Sequence, residues 1–154
     1  MAEPYVKPYL ESSCFIAWIK GEVREKIDRK KIVQHILKEA EQGKYRIITS
    51  SWTLAEVHKR KKGPVLEGKE SAKILEFFEH DFFDIWELTR ALGEEAHRLA
   101  RKYGLKPTDS VHLACALRAK CDRLLSFDPD FLKITVPNIS IEPPQIIGQG
   151  TLFP

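Results

Sequence analysis

The sequence predicts an α/β fold, a three-layer α/β/α sandwich with a central, mostly parallel sheet. Three observations carry the prediction. Short hydrophobic runs and amphipathic helical stretches follow one another along the chain, an order that pairs strands in parallel and covers the sheet on both faces. Helix starts and stops are marked between them by Asp28, Gly43, Gly104 and Pro107. The length, 154 residues, suits a single domain that encloses a real core.

The elements follow in order. Pro8 to Leu10 form a first short strand, and "SSCFIAWIKG" begins a helix that Gly21 ends. In "DRKKIVQHILKEAEQGK" the residues Ile32, Val33, Ile36, Leu37 and Ala40 share one helical face, with Asp28 as cap and Gly43 as stop. "YRIITS" is a β-branched run and therefore a strand, and "SWTLAEVHKRKKG" is a helix opened by Ser50 or Ser51. "KESAKILEFFEH" is helical again, and "DFFDIWELT" has the aromatic alternation of a strand. "TRALGEEAHRLARKYG" is an amphipathic helix closed by Gly104; "KPTDSVHLACALRAKC" is a helix that starts at Pro107 and Thr108. "DRLLSFD" and "ISIEPP" are the last strands, and "QIIGQGTLFP" is an extended appendage.

Composition removes several function classes. With 43% hydrophobic and 31% charged residues the chain has an ordinary globular make-up, and no apolar run approaches the length of a bilayer span. The start "MAEPYVKPYL" lacks the basic segment and long apolar core of a signal peptide, so a soluble, cytoplasmic protein with no membrane partner is expected. Cys14, Cys115 and Cys121 are an odd, scattered set without zinc spacing, which predicts reduced, buried thiols. The net charge of +3 names no partner. The local run "HKRKKG", residues 58 to 63, offers either a solvated helix end or contacts to a phosphate backbone.

Four acids stand where strands meet helices. Glu11 follows the first strand, Glu56 lies one to two turns into the helix after "YRIITS", Asp109 is in the first turn of its helix, and Asp128 follows "RLLSF". In a parallel sheet ligands gather at the C-terminal strand edge, so these four distant carboxylates would surround one hollow. Like charges that close raise each other's pKa until something neutralises them. The natural neutraliser of an all-oxygen cluster is Mg²⁺ or Mn²⁺, and such an ion suits phosphodiester hydrolysis.

Each acid also has a plainer role available. Glu11 alone reads as a solvated turn carboxylate and Glu56 as an exposed helix residue. Asp109 suits a helix dipole, and Asp128 suits the turn "DPDF", where Asp130 is the more natural turn residue. Ser12, Ser13, Ser50 and Ser51 offer helix caps or hydroxyls for a metal's water. His112, one turn after Asp109, is read as a surface or core histidine, because metal-assisted hydrolysis needs none. Trp18, Trp52 and Trp86 are read as core or interface residues.

The segments "YLESSCFIAW", "TSSWTLAEV" and "KPTDSVHLACALRAKCDRLLSFDPDF" resemble the motif blocks of PIN-domain nucleases, in the family's order and over most of the chain. The resemblance implies that residues 1–144 form a PIN-like domain followed by a tail at 145–154. It carries the family's four acidic positions onto Glu11, Glu56, Asp109 and Asp128 as metal ligands and catalytic residues. It further implies an Mg²⁺- or Mn²⁺-dependent endoribonuclease with an RNA substrate. The small single-domain members to which it points are VapC-type toxins with an antitoxin protein partner, and they form homodimers. Glu11 departs from the pattern, since the family usually has aspartate there. The competing function is a PIN-fold RNA- or protein-binding module with weak or no nuclease activity. A receiver-like phosphate-handling domain lacks the paired acids and later lysine it would need.

Overall fold

A computed structural model describes residues 7–20, 23–24, 27–58 and 68–144, the side chains of 20, 23, 24 and 27 excepted. The elements are β1 (Pro8–Leu10), α1 (Ser12–Lys20), β2 (Val23–Arg24), β3 (Ile27–Asp28), α2 (Arg29–Glu41), β4 (Ile47–Ser50) and α3 (Ser51–Glu56). They continue with α4 (Gly68–Phe77), β5 (Phe83–Trp86), α5 (Arg90–Tyr103), α6 (Pro107–Arg118), β6 (Arg123–Leu125), α7 (Pro129–Leu132) and β7 (Ser140–Glu142). The expected tail at 145–154 and the cations Lys59 to Lys62 lie outside the described residues.

Five strands form one sheet in the order β5-β4-β1-β6-β7, and every pairing in it is parallel. A parallel sheet needs both faces covered, and successive residues of a strand point to opposite faces. Leu10, Ile47 and Leu125 therefore pack on one side with Phe15, Val33 and Ile36 of α1 and α2. Their neighbours Tyr9, Ile48 and Leu124 pack on the other with Leu92, Leu99 and Leu113 of α5 and α6. The result is the three-layer α/β/α sandwich, and each fully buried aliphatic side chain contributes roughly 1.5–3 kcal/mol to holding it.

Local chemistry sets the element ends. The Asp28 carboxylate accepts the Lys31 amide at the start of α2, and Ser50 accepts the Trp52 amide at the start of α3. Gly104 ends α5 in the left-handed region at φ 66°, which glycine enters without a Cβ penalty. Three details differ from the sequence expectations. The helix α3 stops at Glu56, because Val57 leaves helical geometry and the His58 ring donates to the Ala55 carbonyl at 2.6 Å. The helix α4 stops at Phe77, whose carbonyl takes the His80 ring at 2.7 Å. The segment expected to be the "DPDF" turn closes one turn of helix, α7, with Asp128 as its cap.

The strand order places a topological switch point between β1 and β6. From β1 the chain winds outward through β4 to β5, then returns to build β6 and β7 on the other side. Crossovers leave in opposite directions there, and the C-terminal ends of β1 and β6 open a crevice. Glu11 follows one of those strands and Asp128 the other.

Candidate active site

Glu11 is 6% exposed and stands immediately before α1. Its Oε2 accepts the Ser13 amide at 2.6 Å, and its Oε1 accepts the Ser126 hydroxyl at 2.7 Å. Glu11 is therefore a buried, doubly hydrogen-bonded carboxylate and not a solvated turn residue. The same Ser126 oxygen accepts the Asp128 amide at 3.0 Å, and Asp128 caps α7 by accepting the Asp130 amide at 3.0 Å. Ser13 completes the strap by accepting the Phe127 amide at 2.9 Å. Two loops that are over a hundred residues apart in sequence are thereby stitched at the crevice.

Asp109 lies in the first turn of α6, is 6% exposed, and its Oδ2 is buried without a hydrogen-bond partner. Burial, followed by the charges of Asp128 and Glu11, pushes its carboxyl up to about 6 against the pull of Lys106 and His112. Helix geometry explains the placement. Pro107 fixes the first position of α6, and an acid two residues later is favoured by the helix dipole.

Glu56 is placed differently. Its Oε1 accepts the Ser12 hydroxyl at 2.7 Å and the ring N–H of His112 at 2.7 Å. Burial pushes its pKa up, but those two donors outweigh it and the carboxyl sits below the usual range. Glu56 is thus tied to residues beside Glu11 and Asp109, while the charges pressing on Asp109 are those of Glu11 and Asp128. Asp130 holds Lys106 at 3.1 Å and Lys133 at 3.5 Å on the rim of a cavity of about 260 Å³ whose lining includes Asp109 and Tyr103.

His112 and Ser126 are the residues that the sequence reading did not connect to the site. His112 is a core histidine, but one bonded to a candidate acid 56 positions away. Ser126 carried one signal, a small hydroxyl residue ending a hydrophobic strand two places before Asp128.

The donor set suits a hard divalent cation. It is all oxygen, one buried carboxylate oxygen lacks a partner, and the charges of Asp128 and Glu11 press on it. Among the described residues, no three Asp, Glu, His or Cys side chains stand gathered closely enough to hold an ion as placed. The three cysteines are free and buried. No described helix is long and apolar enough to cross a membrane.

A profile described as the PIN domain matches residues 9–137. No curated protein matches the chain. Among solved structures, a toxin–antitoxin complex from Klebsiella pneumoniae superposes with a TM-score of 0.61 at 19% identity, covering 86% of this chain and 95% of that one. VapC20 of Mycobacterium tuberculosis, a sarcin–ricin loop cleaving toxin, gives 0.64 at 14% identity, covering 87% and 99%. VapBC2 of Rickettsia felis, bound to a promoter DNA fragment, gives 0.58 at 19% identity, covering 90% and 98%. At these identities the likeness to solved structures establishes the fold.

Proposed function

This chain belongs to the PIN domain family, and from that premise we propose that it is a divalent-metal-dependent endoribonuclease acting as the toxin of a toxin–antitoxin pair. One observation carries the reading: Asp109 keeps a buried, unpaired oxygen in the company of Glu11 and Asp128. A fold that leaves such an oxygen unpartnered gives up stability, and a cation restores it.

Asp109, Asp128 and Glu11 would hold the ion, with Glu56 supplying a fourth carboxylate from α3. When bound, Mg²⁺ or Mn²⁺ supplies Lewis-acid chemistry at the phosphodiester, activating water and offsetting charge on the scissile phosphate. The chain's own residues do the rest. Ser126 and Ser13 fix the spacing of the Glu11 and Asp128 loops, and Ser12 and His112 fix Glu56. Lys106 and Lys133 line the same cavity as Asp109 and would meet an approaching RNA phosphate. The likeness in fold to the Klebsiella pneumoniae toxin–antitoxin complex and to VapBC2 of Rickettsia felis supports an antitoxin protein as partner, and a homodimer is the assembly we assign to the free toxin.

A second reading, a binding module with feeble catalysis, is favoured by Glu11, both of whose oxygens are already hydrogen-bonded. Incubation of the purified chain with labelled single-stranded RNA separates the two. Cleavage that needs Mg²⁺ or Mn²⁺, stops with EDTA and disappears in Asp109→Asn supports the nuclease. RNA retention without cleavage under every metal condition supports the module.

A further inference from the structure

His112 sits at the middle of a twelve-residue helix, α6, and is 1% exposed. Its Nδ1 lies 2.6 Å from the Tyr9 hydroxyl, and its Nε2 lies 2.7 Å from Glu56 Oε1. A carboxylate has no hydrogen to give, so Nε2 carries one and donates it. Tyr9 is fully buried, and its phenol hydrogen is the one placed to be given to Nδ1. With the Tyr9 hydroxyl donating to Nδ1, the ring hydrogen lies on Nε2 and faces Glu56.

Glu56, in contrast, has little backbone support. It is the last residue of a six-residue helix, and its side chain is steadied by partners rather than by the helix. Both of its partners, Ser12 and His112, bond Oε1, and Oε2 has no hydrogen-bond partner among the described residues. We propose that His112 is a positioning residue: with its tautomer fixed by Tyr9, it holds Glu56 by Oε1 and keeps Oε2 as the oxygen available to a cation or water. The proposal rests on the nuclease reading for its purpose, and on the geometry alone for the arrangement.

The test begins on the metal-free protein. Nitrogen-15 spectra of the histidine rings are expected to show His112 as a single Nε2–H tautomer at neutral pH, with the two tautomers mixed in Tyr9→Phe. Titration calorimetry with Mn²⁺ then compares two replacements of His112. The amide of His112→Gln reaches Glu56, while that of His112→Asn stands near Nδ1 and reaches Tyr9 only. His112→Asn is expected to bind Mn²⁺ at least about tenfold more weakly, with His112→Gln close to wild type. Adding His112→Asn to Glu56→Gln is expected to cost nothing further, because both act through one carboxylate. An Nδ1–H tautomer in the wild type, equal losses in the Gln and Asn variants, or additive losses in the double variant overturns the proposal. Absence of both Mn²⁺ binding and RNA cleavage in the wild type overturns the nuclease reading instead, and the tautomer spectra then decide the arrangement by themselves.

Discussion

Ser126 donates its hydroxyl hydrogen to Glu11 at 2.7 Å, joining the ends of two neighbouring parallel strands across 115 positions of sequence. The bond lies just beyond the Leu10–Leu125 register of β1 and β6, and the Glu11 amide extends that ladder by donating to the Leu125 carbonyl at 3.1 Å. The crevice is thus a continuation of the sheet, with its acids held by the same register that builds the core.

Removing that hydroxyl has two consequences at once. Ser126→Ala leaves Glu11 with one donor and the Asp128 amide without its acceptor. A loss of roughly 1–3 kcal/mol in urea unfolding is expected, with most of it restored by Ser126→Thr. A loss of less than about 0.5 kcal/mol would show that water replaces the hydroxyl without cost.

Asp109 predicts an unusual pH dependence. Its carboxyl sits at about 6 in the folded chain, above the ordinary aspartate value, so between those values the folded state holds a proton that the unfolded state has released. Stability therefore falls as pH rises from about 4 to about 6, by an order of 1–3 kcal/mol in total, and stays reduced at neutral pH. Asp109→Asn removes the dependence. The metal-free variant should unfold at higher urea than wild type at pH 7.5 and match it near pH 4. Parallel stability curves for the two chains across that range would contradict the assignment.

Glu11 makes the family's usual aspartate an informative substitution. Shortening the side chain by one methylene in Glu11→Asp draws its oxygens back from Ser126 and Ser13, about one C–C bond in a site where both bonds are at or below 2.7 Å. The variant is expected to lose the Ser126 bond and gain a carboxylate free to turn into the crevice. Its Mg²⁺ affinity should then differ from wild type by at least about threefold, since octahedral Mg²⁺ tolerates little misplacement. Equal affinities by calorimetry would show that residue 11 ligates through water or not at all.

Much of this arrangement is legible in the sequence, and the limits have physical reasons. The pairs Tyr9–Leu10, Ile47–Ile48 and Leu124–Leu125 are apolar at both positions, as strands buried on two faces must be, so the layer order followed. Asp28, Gly104 and Pro107 announce helix ends because their chemistry is local. The early stop of α3 is set by one ring-to-carbonyl bond at His58, which no periodicity records. The partnership of Glu56 with His112 was hidden for the converse reason. It joins α3 and α6 across 56 positions of sequence, and a histidine on an apolar helix looks the same in sequence whether its ring meets a carboxylate or only core. Ser126 was similarly silent, since its role exists only once β1 and β6 are neighbours.

Divalent ions provide the most direct test of the acidic crevice, through stability rather than turnover. An ion that binds only the folded chain stabilises it by about 2.7 kcal/mol at a hundred times its dissociation constant. For a chain of this length that corresponds to a rise in melting temperature of roughly 5–10 °C. The effect should be larger at pH 7.5 than at pH 5, because Asp109 must lose its proton before it can ligate, and its carboxyl sits at about 6. Asp109→Asn should show the opposite combination: a higher melting temperature without metal, because the cost of burying the charge and its repulsion with Asp128 and Glu11 are relieved, and little or no rise when Mn²⁺ is added. One variant thus separates the gain from removing the charge from the gain that metal binding brings. Thermal scans of both chains, with EDTA or saturating Mn²⁺ at each pH, measure them together. A Mn²⁺ shift that survives Asp109→Asn unchanged would place the ion elsewhere on the molecule.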